Sequence, residues 1–159
     1  MRIRLLGLAA LLVSAVPPLH AQRPAYYFLE LGGVGGLASV NVELNPIANL
    51  RLRGGAGYFI WPSVPLMASY TIGSPRHSVE LGVGTTVVFL SAFGSRSAHT
   101  GPNDLFELNE GSGTLVIGTA MAGYRYTSPK GFLVRVALTP LYAQGKGVMW
   151  VGLSLGRAF

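Results

Sequence analysis

The chain contains no cysteine. That excludes a disulfide framework and any thiolate metal site. Charge is scarce as well. Only 11% of the 159 residues are charged, where soluble domains carry about 25%. Acidic residues are fewest, six against twelve Lys and Arg. The basic residues stand singly rather than in a stripe, so nucleic-acid binding is not expected. No G-x-x-x-x-G-K-[ST] run and no G-x-G-x-x-G opening a helix occurs, so no phosphate-cradling loop is expected and no cofactor. Disorder is excluded on opposite grounds, because half the residues are hydrophobic.

Glycine is abundant, with 22 residues. Long apolar runs are few. Leu5 to Val16 is the apolar part of a secretory signal peptide, preceded by Arg2 and Arg4 and closed by Pro17 and Pro18. It is too short to span a bilayer as a helix. Residues 1–21 are therefore expected to be a cleaved signal peptide and 22–159 a single domain. Without the two leader arginines the net charge falls from +6 to about +4. Gly54 to Pro75 is uncharged and long enough to span, but Pro62 and Pro65 in its middle would break a helix.

The last stretch organises the rest. In Lys146 to Phe159, Met149, Val151, Leu153, Leu155 and Phe159 share one parity; Gly152, Ser154, Gly156 and Ala158 lie on the other with Val148 and Trp150. A period of two with one large apolar face and one mostly small face describes a strand of a small barrel. Arg157 falls on the apolar parity, where a long cationic side chain at a membrane edge can snorkel to the headgroups.

Seven further strands are predicted: Ala25 to Gly33, Leu37 to Leu44, Leu50 to Ile60, Leu66 to Ile72, His77 to Leu90, Thr114 to Tyr126 and Phe132 to Tyr142. Gly32 to Gly36 reads as a hairpin tip. Asn45-Pro46 opens a turn, Pro62 and Pro65 bracket another, and Gly73 and Thr127 begin two more. Alternation is clean in the fifth and seventh strands. In the first and sixth the sequence leaves the parity open. Short turns follow strands two, four and six, and the long loop, Ser91 to Gly113, follows strand five. That is the loop pattern of an even-stranded outer-membrane barrel. Aromatics cluster at strand ends, at Tyr26, Tyr27, Phe28, Tyr58, Phe59, Trp61, Phe89, Tyr124, Tyr126 and Phe132, as interfacial girdles require.

Glu30, Glu43, Arg51, Arg53, Glu80 and Arg135 are expected to form lumen ion pairs, since a charge on the lipid face costs about 2–4 kcal/mol at midplane. In the long loop, His99, Asp104, Phe106, Glu107 and Glu110 are the residues expected at the surface. His99 and the three carboxylates match no calcium-loop spacing and read as a solvated loop, with no metal expected. Asn103 is placed to cap a short turn through Leu105, Phe106 and Leu108.

Signal peptide, eight amphipathic strands, one long outside loop and terminal Phe159 together resemble the small outer-membrane barrels of the OmpA and OmpX kind, over residues 22 to 159. The resemblance implies an eight-stranded antiparallel up-and-down transmembrane β-barrel in the outer membrane, contact with outer-membrane lipids, and Phe159 as the signal read by the assembly machinery. It does not imply one function. The expectation is a non-catalytic structural or surface-interaction role, with the 91–113 loop presented to an extracellular ligand. The alternatives are a lipid A-modifying enzyme, a small channel or passive carrier, and a soluble lipocalin-like barrel. Gly152-Leu153-Ser154-Leu155-Gly156 matches G-x-S-x-G, but a nucleophile elbow needs a strand-to-helix turn. His77, Ser78 and Glu80 resemble the residue set of lipid A deacylases without their His-x-Ser-Asn arrangement. No catalytic residue is expected.

Overall fold

The computed structural model describes residues 24–90 and 113–159; the leader and the residues named above in the long loop lie outside them. The strands are β1 Tyr26–Leu31, β2 Ala38–Ile47, β3 Leu50–Tyr58, β4 Pro62–Gly73, β5 His77–Val88, β6 Leu115–Thr127, β7 Phe132–Ala143 and β8 Lys146–Ala158. Each pairs antiparallel with its sequence neighbour, and β1 pairs with β8, so the sheet closes on itself in the order β1 to β8. Closure leaves no edge strand.

The strands follow from their alternation. In β5, Val79, Leu81 and Val83 point outward while Glu80 and Thr86 are buried inside. In β7, Val136 and Leu138 point outward while Leu133, Arg135, Ala137 and Thr139 are buried. The parity left open in β1 resolves with Tyr26, Phe28 and Glu30 inside and Tyr27, Leu29 and Leu31 outside. In β6, Ile117, Thr119, Met121 and Arg125 are inside. The outer wall is thus a band of Leu, Val, Ile and Tyr, and the interior holds the polar groups.

Several boundaries differ from expectation. Asn45 and Pro46 are not a turn; they lie inside β2, where the register to β3 shifts between Leu44 and Ile47. The chain turns at Ala48 and Asn49, and Asn49 takes a positive φ of 67°, which Asn tolerates by bonding locally. Pro62 and Pro65 do not bracket a turn; both lie in β4. Pro62 opens the strand, a place where a missing N–H costs little. Pro65 sits where the β3–β4 ladder lacks its rungs, between Gly54↔Leu66 and Gly57↔Ser63. Pro140 coincides with the same gap between β6 and β7. Closure of the barrel lets each strand keep its other neighbour there, so a proline is accommodated.

The largest departure is at Gly32 to Gly36. It is not an exposed hairpin tip. It folds into the barrel, with Gly33–Gly35 as one 3-10 turn and Val34 fully buried. Thr86 donates a hydrogen bond to the Val34 carbonyl at 2.5 Å, and Ser63 to the Gly35 carbonyl at 2.9 Å. Gly32 and Gly33 have φ of 68° and 77°, and a Cβ at Gly32 would lie 2.2 Å from the Val151 carbonyl oxygen. Only glycine meets both demands.

The β7–β8 turn isolates the two effects. Gly145 has φ 78° and nothing within 4 Å of where its Cβ would stand. Gly145→Ala should cost roughly 1 kcal/mol, the left-handed strain alone. Gly32→Ala should cost about 1–3 kcal/mol more from overlap. Urea unfolding in lipid or detergent, followed by Trp fluorescence, checks this ranking.

Candidate functional site: the charged lumen

Inward-facing glycines make room for large side chains. Gly156 leaves space for Phe28, and Gly82 and Gly84 for Met67. Into this space project Glu30 from β1, Glu43 from β2, Arg53 from β3, Glu80 from β5, Arg125 from β6 and Arg135 from β7. Their side chains are all at most 2% exposed. Arg51 enters from β3 nearer the short-turn end and keeps 18% of its side-chain surface.

Arg135 is central. Its Nη1 donates to both Glu80 oxygens at 3.1 Å and to Glu43 at 3.4 Å, and its Nη2 lies 3.9 Å from Glu30. Arg125 donates to Glu43 at 2.7 Å and stands 3.5 Å from Glu80. Arg53 donates to Glu30 at 3.1 Å. Arg51 donates to Glu43 at 3.3 Å and to Asn45 at 2.8 Å. Hydroxyls complete the set: Ser69 donates to Glu80 at 2.6 Å, and Ser154 donates to Glu30 at 3.2 Å while accepting from Arg135. The guanidiniums also rest on ring faces. Arg135 lies 4.6 Å from the Phe28 centroid, and Arg125 4.8 Å from that of Tyr26. Such contacts strengthen when desolvated.

The six residues expected in the lumen are therefore all there. Sequence reasoning missed Arg125. It sits near a strand end between two tyrosines, where an arginine reads as an interfacial residue. Charge counting held no signal for it, because Glu30, Glu43 and Glu80 already balance against Arg51, Arg53 and Arg135; Arg125 enters the network because Arg51 stays part-exposed at its end.

Tyr26 and Phe28 are lumen residues and not part of a girdle, because the parity of β1 places them inside. Phe59 and Trp61 also leave the proposed girdle. They pack with Trp150 against Val88, Ile117, Leu141 and Ala143 at the long-loop end. The Phe59 and Trp150 ring centroids are 5.3 Å apart. The lumen is thus layered: charge and two rings toward the short turns, then the inserted glycine turn, then an apolar layer.

The apparent catalytic sets do not assemble. His77 is exposed on the outer face, its Nδ1 bonded to the Tyr124 hydroxyl, while Glu80 faces inward. Ser154 lies in regular strand, with Arg135 and Glu30 as its partners. Among the described residues no cluster of His, Asp and Glu has the make-up of a metal site.

No protein-family model matches the sequence, and no curated protein does. Among solved structures, the N-terminal β-barrel domain of Pseudomonas aeruginosa OprF is similar, with a TM-score of 0.58 over 86% of this chain and 96% of that one. The fold is a closed, antiparallel, up-and-down eight-stranded barrel similar to that domain. At 16% identity the likeness is one of architecture.

Removing Arg135 leaves three carboxylates short of a partner. Arg135→Met should cost about 3–5 kcal/mol, as for other broken buried pairs. Arg51→Met, at the part-exposed end, should cost at most about 1 kcal/mol. For Glu30 and Arg53, the double variant Glu30→Gln with Arg53→Met should be more stable than Arg53→Met alone. A double-mutant cycle by urea unfolding measures that coupling.

Proposed function

We propose that the chain is a non-catalytic outer-membrane β-barrel protein, closed within, whose role is structural or surface-interacting. One observation carries this reading. The barrel is apolar outside and charged inside, and all acidic side chains among the described residues are in the lumen. A soluble lipocalin-like barrel needs the opposite arrangement. An exterior of Leu, Val and Ile suits hydrocarbon, in which only closed barrels and helices satisfy every backbone group. The β strands from β2 to β8 run 9 to 13 residues, and about 9–11 tilted residues cross a bilayer.

In that setting the turns at Ala48-Asn49, 74–76 and 128–131 face the periplasm, and the long loop faces outward. The 91–113 loop is the surface offered to an extracellular ligand. Phe159 is exposed on the outer wall beside Tyr27, with centroids 6.1 Å apart, where assembly machinery can reach a strand end. A channel is disfavoured because ion pairs, the inserted turn and the apolar layer fill the lumen in succession. A lipid A-modifying activity is disfavoured because Ser154 is engaged by Arg135 and Glu30 while His77 faces away.

Expression in a Gram-negative host, followed by SDS gels of the outer-membrane fraction with and without boiling, tests the reading. A band whose mobility shifts on boiling is expected. A soluble periplasmic product without a shift overturns it. Val83→Arg sharpens the result. On a lipid-facing wall it should cost about 2–4 kcal/mol and lower the folded yield; on a water-facing wall it would be neutral. Planar bilayers containing the barrel should show no steady conductance.

A further inference from the structure

The sequestration of all described carboxylates has an external consequence. The outer surface carries cations without acidic side chains to answer them. Arg76, Lys130 and Arg157 are exposed, and among the described residues none makes an ion pair. All three belong to the short-turn end, and they are neighbours there. The Arg76 carbonyl accepts from the Thr127 amide at 2.8 Å, at the start of the turn that carries Lys130. The Ala158 amide donates to Gly131 at 2.8 Å, and Phe132 pairs with Arg157 across β7 and β8. The cations thus lie on one continuous arc of the rim, from the β4–β5 turn to the end of β8.

Among the described residues, the opposite half of the same rim, around Asn45, Ile47, Asn49 and Tyr70, presents no charged side chain, since the Arg51 side chain turns inward to Glu43. Rings accompany the charged arc. His77 packs against Tyr124 and Tyr126 with centroids 6.1 and 5.1 Å away. Tyr27 pairs with Arg157 in register and packs on Phe159. Cations next to rings at the edge of an apolar wall match a headgroup layer, where the rings sit at the interface and the cations meet phosphate.

We propose that this arc is a binding surface for anionic phospholipid headgroups, which it gathers to one side of the barrel in the leaflet bordering the periplasm. The proposal rests on the outer-membrane reading and adds the lipid class and the side of the barrel. Arg76 and Arg157 offer forked donors to a phosphate, and Lys130 offers a point charge. The field falls off within a Debye length, about 10 Å at 0.1 M salt, so the attraction is confined to the neighbourhood of these three cations.

The test refolds the full chain into phosphatidylcholine vesicles with and without phosphatidylglycerol, with the heat shift on gels recording insertion. Electron spin resonance of spin-labelled phosphatidylglycerol and phosphatidylcholine then reports which lipid the barrel immobilises. The wild type should hold phosphatidylglycerol preferentially, and rising salt should erode the preference. Each cation replaced should reduce binding at the arc roughly fivefold, the equivalent of about 1 kcal/mol per Lys or Arg at an anionic surface. The triple variant Arg76→Gln, Lys130→Gln, Arg157→Gln should lose the preference. Lys146→Gln, at the other end, should keep it. An inserted barrel with equal affinity for both lipids, or a triple variant that retains the preference, overturns the proposal and leaves the membrane reading intact. Failure to insert into either vesicle overturns both.

Discussion

Everything in this barrel depends on where its carboxylates go. Glu30, Glu43 and Glu80 enter the lumen from three strands, and an unpaired buried carboxylate is costly. Arg53, Arg125 and Arg135 answer them from three others, with Arg51 at the end. The pairs join residues far apart in sequence, such as Glu43 with Arg135 and Glu30 with Ser154. The network therefore exists only when the sheet is closed and in register. A slip of one residue in any contributing strand would send its charge to the apolar wall. Ion pairing here fixes register, whatever its net contribution to stability.

The same constraint shapes the rest. Inward glycines leave room for Phe28 and Met67, and the rings of Phe28 and Tyr26 lie under the cations. Above the charges, the Gly32 to Gly36 run turns inward because glycine alone adopts its backbone angles and fits against Val151. Thr86 and Ser63 satisfy the carbonyls that this turn buries. An apolar layer of Phe59, Trp150 and their neighbours closes the long-loop end. With all acidic side chains of the described residues inside, the exposed charged side chains among those residues are cations, and three of them gather on one arc of the short-turn rim.

Much of this was legible in the sequence where one face was large and apolar and the other small or polar. That holds for β5, β7 and β8, and it placed Glu80 and Arg135 without ambiguity. Legibility failed where both faces carried comparable residues. In β1, Tyr26, Tyr27 and Phe28 hid which parity faces inward, and the aromatics that looked like a girdle are split between wall and lumen. In β6, alternating small groups on both faces concealed Arg125. Glycine and proline misled for a common reason. Local rules make them turn formers, yet closure and inward packing let Pro65 stay in a strand and let the glycine run enter the core. Those outcomes depend on long-range geometry, which periodicity does not carry.

The central claim is that the Leu, Val and Ile wall faces lipid and the charged network faces the lumen. The absence of cysteine makes a direct test clean. Single cysteines placed along β5 from Val79 to Val88 can be spin-labelled in the membrane-inserted protein, and their relaxation by oxygen and by a water-soluble nickel chelate compared. Positions 79, 81, 83 and 87 should be open to oxygen and shielded from nickel, alternating with inward positions 86 and 88 that are shielded from both. Nickel access on the Val79, Leu81 and Val83 face, or loss of the period of two, would contradict the account.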